Sequence, residues 1–566
     1  MADAPPFERA RDWFATRGWQ PFAWQEATWR AFLGGESGLV HAPTGTGKTL
    51  AVWIGPLLDA IAAPPATPGL RVLWLTPLRA LATDTVTSLR DASEGLGVDW
   101  RIEARTGDSS QSLRAKQRRQ LPQALVTTPE SLSLLLSYDD ASDRLRGLSC
   151  VVVDEWHELL GTKRGVQVEL ALARLRAWNP AMRTWGLSAT LGNVEQAAEV
   201  LLGAGRRDAR LVSGDDHKAV VVETVLPESV QRFPWAGHLG LASLPRVVEA
   251  IARRRTTLLF TNTRSQAEQW FQAITLTRPD WEGEVALHHG SLDRALRGEV
   301  EEGLRAGRWR CVVCTSSLDL GVDFAPVEQV VQVGSPKGVA RLLQRAGRSG
   351  HQPGGESRVL CAPTHALELV EYAAARRAIA RRALEGRRPV ERPLDVLVQH
   401  LLTIAAGGGF EEGALRREVQ STWAFHRLGD AEWRWALEFA AHGGPALGAY
   451  EQYARLVRGE DGRWTVATPR VARLHRLQIG TITSDGMLQV KFLRGGPLGQ
   501  VEEGFLARLR PGDVFVFGGR RLQLSRIHDM TAWVRLATSG TAQVPRWMGG
   551  RLPLSTHLAA AVREEL

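Results

Sequence analysis

Between an apolar run and a helical one, Ala42-Pro43-Thr44-Gly45-Thr46-Gly47-Lys48-Thr49 has the composition of a loop that wraps phosphates. Small residues let backbone N–H groups close on an anion, a helix start adds its positive dipole, and Lys48 can reach the terminal phosphates. The Thr49 hydroxyl is placed to ligate Mg²⁺, and Ala42 stands where the strict pattern has glycine. Further on, an apolar run ends in two adjacent acids: Val151-Val152-Val153-Asp154-Glu155-Trp156-His157. That order puts Asp154 where it can hold Mg²⁺ through its water shell and Glu155 where it can polarise an attacking water. The two segments together predict hydrolysis of a nucleoside triphosphate.

A third segment, Gln344-Arg345-Ala346-Gly347-Arg348-Ser349-Gly350-His351, sets two arginines three apart on one face of a helix or turn. Guanidinium groups so placed can reach across a cleft and spread the charge of a transferring phosphoryl group, an effect of about 10³–10⁵ in rate. The plainer reading is an Arg-rich surface helix, and the surrounding Gln, Gly and His speak against it. Other candidate groups lead to no chemistry. Cys311-Val312-Val313-Cys314 has no second pair at zinc-site spacing and reads as a buried strand; four cysteines are too few for a disulfide framework in this length. His288 and His289 are adjacent on a loop without a third ligand, which suggests contacts or packing.

These residues need elements to hold them. At 566 residues the chain should contain three or four cores in series. Short apolar strands alternate with helical patterns through the first two thirds, clearest at residues 72–75, 124–126, 151–153, 258–260, 311–314 and 330–333, which makes the fold class α/β with a mainly parallel sheet. The pattern lapses into Gly, Arg and Asp between about Gly203 and Glu223. Three helical segments and a Gly-flanked hairpin follow an Arg-rich helix ending near Arg388 and suggest a winged helix; from about Leu477 the sequence alternates like antiparallel β, with turns at Ser484-Asp485-Gly486 and Gly518-Gly519. The predicted domains are 1–205, 206–388, 389–468 and 469–566. A net charge of +9 favours a polyanionic partner. No run is apolar enough to span a bilayer and the first residues carry no leader pattern, so a cytoplasmic, nucleoid-associated protein is expected.

The ordered motif set resembles that of the DEXH-box helicases of superfamily 2, and the resemblance implies two tandem RecA-like lobes. Pro21-Phe22-Ala23-Trp24-Gln25 is similar to a Q-motif in which Gln25 reads the adenine edge, and Pro43 through Thr49 would then cradle ATP. Thr76-Pro77-Leu78-Arg79, Thr106-Gly107-Asp108 and Thr127-Thr128-Pro129-Glu130 resemble segments that grip a strand's phosphates, implicating Pro77, Arg79, Gly107, Thr128, Pro129 and Glu130. The second lobe adds Thr263 and Arg264, His289 and Gly290, and Thr315 and Ser316 to that grip. Gly321 and Asp323 face the nucleotide. His157, Ser188, Thr190 and Gln344 take the coupling role.

Finer marks resemble the Lhr (large helicase-related) family, in particular its bacterial ligase-associated DEXH-box branch: Asp154-Glu155-Trp156-His157, Lys163-Arg164-Gly165, the run from Ser316 to Asp323, the run from Gln344 to His351, Pro393-Leu394-Asp395-Val396-Leu397, and Arg546-Trp547-Met548-Gly549-Gly550. Trp547 is a candidate for base stacking. The family implies ssDNA-stimulated ATP hydrolysis with Mg²⁺, 3′-to-5′ movement, unwinding of DNA or RNA–DNA duplexes, and a role in DNA repair beside a ligase or nuclease. Its members continue with a further domain, so a shortened or truncated member is expected. An RNA helicase, or a nucleic-acid-binding ATPase scaffold with little unwinding, are the alternatives.

Overall fold

The computed structural model describes residues 6–43, 45–64, 69–189, 191–214, 220–226, 240–320, 327–350, 356–443, 454–479, 487–528, 530–540, 542–545 and 554–566. They belong to two compact units, Met1–Asp215 with Gly386–Thr481, and Asp216–Glu385 with Ile482–Leu566. Thr44, Thr190, Gly321, Asp323 and Trp547, all given site roles above, lie outside the described residues, as do the proposed turn at Ser484-Asp485-Gly486 and His351. Among the described residues no helix is long and apolar enough to cross a membrane.

The first unit is built on an all-parallel sheet of β1 (Gly38–His41), β2 (Val72–Leu75), β3 (Ile102–Arg105), β4 (Ala124–Thr127), β5 (Cys150–Val153), β6 (Arg183–Ser188) and β7 (Arg210–Ser213), in the order β3-β4-β2-β5-β6-β1-β7. Helices cover both faces. Val72 and Trp74 therefore enter one core while Leu73 and Leu75 enter another, so β2 reads in sequence as an unbroken apolar run.

A winged helix completes this unit: helices Leu394–Ala406, Glu412–Gln420 and Asp430–His442, then the antiparallel hairpin of β14 (Leu456–Arg458) and β15 (Trp464–Val466). Val166 and Leu170, from the first lobe's helix Lys163–Trp178, share its core with Leu397, Leu401 and Phe425. Glu169 of the same helix, 4% exposed, accepts the Ala424 N–H at 2.8 Å, and Arg174 meets Glu418 at 3.0 Å. Burial pushes the Glu169 carboxyl up to about 8 despite that bond.

The second unit repeats the parallel plan with β8 (Val220–Thr224), β9 (Thr257–Phe260), β10 (Val285–His288), β11 (Cys311–Cys314), β12 (Gln329–Val333) and β13 (Ser357–Ala362), ordered β10-β11-β9-β12-β13-β8. Cys311 and Cys314 are fully buried in β11 and burial raises both thiols, which leaves them as strand residues.

The β-rich region contributes a curled sheet of β16 (Met487–Phe492), β17 (Pro497–Glu502), β18 (Val514–Phe517), β19 (Arg520–His528), β20 (Thr531–Leu536) and β21 (Ala542–Gln543). It is mixed rather than antiparallel throughout, because β16 pairs parallel with β20 and β18 with β21 after intervening strands have turned the chain back. Leu488, Val501, Phe515 and Phe517 share one core with Leu259, Trp270 and Ile274 of the second lobe. Three helices lie within the residues expected to be β-rich, Pro469–Gln478, the short Glu503–Leu506, and Thr556–Glu565. In the last, Leu558 and Val562, one turn apart, enter the core beside the helix Ala366–Ala380, and Arg377 meets Glu565 at 2.9 Å. That helix, expected to run to about Arg388, stops at Ala380; Arg382 follows with a left-handed φ of 55°.

Candidate active site and nucleic-acid interface

The phosphate loop joins β1 to the helix Lys48–Ala62. Gly45 and Gly47 have φ of 80° and 81°, the left-handed region that a side chain would strain, so glycine is required at both turns. Thr46 Oγ1 donates to the Pro43 carbonyl at 2.8 Å, and Lys48 Nζ donates to the Ala42 carbonyl at 2.9 Å, folding the ammonium back over the loop. Thr49 is the second residue of the helix and half-buried. Gln25, 2% exposed, receives the Phe22 N–H on Oε1 and donates from Nε2 to the Gly47 carbonyl at 3.1 Å. A Cβ on Gly47 would come within 2.8 Å of that Nε2, so loop and glutamine are fitted to each other.

Asp154 and Glu155 follow β5, and β6 lies between β5 and β1. Asp154 Oδ1 accepts the Glu155 N–H at 2.8 Å and Oδ2 accepts from Trp74 Nε1 at 3.2 Å. Burial, then the neighbouring Glu155 charge, push the Asp154 carboxyl up to about 7 against the pull of Lys48. Glu155 has φ and ψ of 45°, an unusual conformation for a side-chain-bearing residue that costs on the order of 1–3 kcal/mol.

His157 closes the constellation. It is 5% exposed, burial lowers its pKa, and its Nδ1 accepts the Ala189 N–H at 3.2 Å, so the neutral ring carries its proton on Nε2, 3.5 Å from Glu158. Nδ1 also lies 3.4 Å from Glu155 Oε2. Ser188 Oγ donates to the Ala189 carbonyl, and His41, ending β1, accepts the Leu191 N–H on Nε2 at 2.9 Å. The phosphate loop, the acid pair and the Ser188-Ala189 turn are thus wired together within one lobe.

At the same sheet's other end, three separated segments converge on one groove. Arg79 meets Asp108 at 3.2 Å, and a Cβ on Gly107 would strike the Arg79 guanidinium at 2.6 Å. Thr128 caps the helix Pro129–Leu136, its hydroxyl accepting the Ser131 N–H. Thr106, Gly107, Thr128 and Ser131 line the groove with Arg79 and Arg105; Arg114, Glu130, Leu134, Arg476 and Ile479 line it too. Pro77 lies just before the helix Arg79–Gly95. Glu130, expected to touch a strand, is held by Arg164 at 2.5 and 3.2 Å; burial would raise its carboxyl, but that pair keeps it low.

In the second unit, Thr263 caps the helix Arg264–Thr277, while Gly290 and Ser316 are exposed beyond the ends of β10 and β11. Thr315 is 8% exposed and its N–H bonds the His288 carbonyl. Arg264 is half-buried, with its pKa lowered by burial and raised by Glu502. His289 departs from expectation. It is fully buried, Nδ1 accepts the Ser291 N–H, and Nε2 meets Glu268 at 3.1 Å; Glu268 in turn accepts the Gly518 and Gly519 N–H groups at 2.6 and 2.8 Å. With both nitrogens engaged, the ring anchors the β-rich sheet instead of presenting itself to a strand. β17 strengthens that anchor, since Gln500 N donates to Ser291 O and a Cβ on Gly499 would lie 2.0 Å from that oxygen.

Arg345 is the second correction. It is 1% exposed, its Nε and Nη2 grip Asp319 at 2.8 and 3.2 Å, its Nη1 donates to Gln332 at 2.5 Å, and its guanidinium stacks over Phe260 at 4.8 Å. A buried bidentate pair is costly to break, so Arg345 holds its own lobe and is not available as a finger. Arg348, also 1% exposed, sits on the turn after the helix Val339–Ala346, and Gln344 on that helix is half-buried. The helix start is capped by Glu385, whose oxygens accept the Val339 and Ala340 N–H groups at 2.5 and 2.7 Å and the Ser555 hydroxyl at 2.8 Å.

Comparison with known proteins meets this geometry. A DEAD/DEAH box helicase domain matches residues 22–197, a helicase conserved C-terminal domain 241–352, and the winged helix domain of the large helicase-related protein 377–544. The three matched domains are in the order found in a large helicase-related (Lhr) helicase, and the chain is similar to proteins of that name. It is 33% identical over 549 residues to the ATP-dependent helicase Lhr-Core protein 2 of Thermococcus barophilus, and 32% over 560 residues to an ATP-dependent helicase Lhr-Core of Methanothermobacter thermautotrophicus. Each alignment covers 94% of this chain and 63% of the relative, so the chain spans less than two thirds of those Lhr proteins. The Mycobacterium smegmatis helicase Lhr, solved bound to ssDNA and AMP-PNP, is similar with a TM-score of 0.75 at 31% identity, covering 86% of this chain and 64% of that one. The helicase MrfA bound to DNA shares the fold at 22% identity and a TM-score of 0.75 over 94% of this chain and 73% of that one.

Several site residues were not legible in advance. Trp74, Arg476, Glu268 and Glu385 meet partners far off in sequence, and no local spacing marks such pairs; Arg105 and Arg114 share the groove lining with residues from other segments.

Proposed function

We propose that this chain is an ATP-driven nucleic-acid motor, in which ssDNA stimulates ATP hydrolysis and hydrolysis drives 3′-to-5′ movement and the unwinding of DNA or RNA–DNA duplexes. The observation that carries the reading is the bond from Ala189 N–H to His157, because it joins the histidine lying 3.4 Å from Glu155, the acid that polarises water, to the segment following β6. Lys48 and the loop amides bind the triphosphate; Glu155 takes the proton of the attacking water; Arg348 offsets charge on the leaving phosphoryl group. Thr49 and Asp154 would hold Mg²⁺, and the crowding of Asp154 against Glu155 fits a cation there. Bound Mg²⁺ would neutralise charge on the phosphates.

The first-lobe groove supports a sequence-blind grip on a strand, since its hydroxyls, helix start and arginines suit phosphates and offer no array for reading bases. The solved relative bound to ssDNA supports DNA as the polymer. Membership of the ligase-associated branch, a role in DNA repair and a ligase or nuclease partner follow from the family marks quoted from the sequence. Saturating oligothymidylate should raise ATP turnover severalfold, whereas unchanged turnover removes the proposal; a matched RNA oligonucleotide reports whether the groove responds to the 2′-hydroxyl.

A further inference from the structure

The helix Val339–Ala346 carries Gln344 and Arg345, and Arg348 sits on the turn after it. A helix of eight residues moves as a rigid rod, so a shift at its first turn is passed on to Arg348. Segments distant in sequence converge on that first turn. Lys337, two residues before the helix, has a left-handed φ of 64°, which disfavours a residue with a side chain and has to be held by its surroundings. Its N–H donates to Ser335 Oγ at 3.2 Å, and its carbonyl accepts the Ser555 N–H at 2.9 Å. The Glu385 carboxylate takes the Val339 and Ala340 N–H groups, one on each oxygen, where a helix start favours negative charge. Ser555 completes the junction, since its hydroxyl donates to Glu385 Oε1 at 2.8 Å and accepts the Leu558 N–H at 3.1 Å. A hydroxyl has one proton, and with Leu558 as donor that proton is left for Glu385. The fit is close: a Cβ on Gly338 would lie 3.0 Å from Glu385 Oε1.

The apolar side of the helix is braced by the same segments. Val339, Leu342 and Ala346 share a core with Tyr372 and Ala375 of the helix Ala366–Ala380 and with Leu558 and Val562 of the helix Thr556–Glu565. Surface pairs of Arg377 with Glu565 and of Arg381 with Glu564 contribute little, so the shared core and the Ser555–Glu385 bond do the holding. We propose that Ser555 and Glu385 are positioning residues for ATP turnover: they fix the start of this helix so that Arg348 stands where it offsets charge on the leaving phosphoryl group. Their effect runs through Arg348 and not through contact with nucleotide. The inference rests on the reading of Arg348 as that group.

Ser555→Ala in the full chain removes the hydroxyl and leaves the apolar core alone. A misplacement of about 1 Å can cost about 10²-fold in rate, and with the Glu385 bonds to the helix still made the expected loss is about tenfold in strand-saturated kcat. KM for ATP and affinity for oligothymidylate should stay as in the parent, because Lys48 and the first-lobe groove are unaltered. Ser555→Thr keeps a hydroxyl and should restore the rate. Glu385→Gln sets an amide donor against the helix N–H groups and should lower kcat further. The deciding measurement is a double-mutant cycle with Arg348→Ala. Once the guanidinium is gone, Ser555→Ala should cost nothing more. An equal loss in both backgrounds, an unchanged kcat in Ser555→Ala, or a Thr variant as slow as the Ala one overturns the proposal. Failure of the underlying reading looks different: Arg348→Ala alone then turns over ATP like the parent, and both inferences fall together.

Discussion

Arg345 and Arg348 stand one helical turn apart, yet their surroundings assign them different work. Arg345→Ala leaves Asp319 buried without its bidentate partner, so the second unit should lose about 3–5 kcal/mol of unfolding free energy, read by denaturant titration. Arg348→Lys keeps a cation but loses the planar fork. It should lower ATP turnover by about 10³ with little change in melting temperature. Equal effects of the two substitutions on turnover and stability would show the division to be wrong. The acid pair and the loop lysine were legible because their chemistry demands neighbours in sequence: a strand, then two carboxylates; glycines, then Lys48. The arginine pair was legible only as a spacing. What Arg345 faces is decided by Asp319 and Gln332, residues whose meeting with it belongs to the tertiary fold. His289 misleads for the same reason, since a histidine on a loop gives no sign that Glu268 waits behind it.

Among the elements, the helix Lys163–Trp178 joins the first lobe to the winged helix through Val166, Leu170 and Glu169. The Glu169 carboxyl, raised from 4.5 to about 8 by burial, holds a proton in the folded chain that the unfolded chain releases. Its contribution to stability is therefore fully present below the ordinary carboxyl range and is lost as pH rises through about 8. Glu169→Gln keeps an acceptor for the Ala424 N–H but cannot ionise. The stability gap between the variant and the parent should widen in the variant's favour from about pH 5 to pH 8, followed by melting temperature; a constant gap would mean that Glu169 does not titrate there. Gly499→Ala probes the other anchor. A Cβ 2.0 Å from the Ser291 carbonyl forces β17 off the second lobe, and at least about 2 kcal/mol of stability should go with it. The apolar strands and the three winged-helix segments were legible from their periods. The parallel pairing of β16 with β20 was not, because pairing order depends on how the chain returns and not on any one strand's pattern.

For the whole molecule, a net charge of +9 and a groove lined by four arginines predict strand binding that weakens steeply with salt, log affinity falling by about 0.7 per phosphate contact in log salt; a flat response would contradict phosphate tracking. The sequence yielded the α/β plan of both lobes because each buries strands on two faces. It did not yield the division into two units, in which a module late in the chain joins the first lobe and the last strands join the second, since that is set by which surfaces share a core. The central claim is that Lys48, Asp154, Glu155 and His157 form an ATP-hydrolysing centre answering to a bound strand. Its most direct test is steady-state ATP turnover with and without saturating ssDNA, in the parent and in Glu155→Gln. The account predicts strand-stimulated turnover in the parent and a loss of about 10²–10⁴-fold in the variant, which still binds ATP. Turnover in the variant equal to the parent's, or a parent indifferent to the strand, would contradict it.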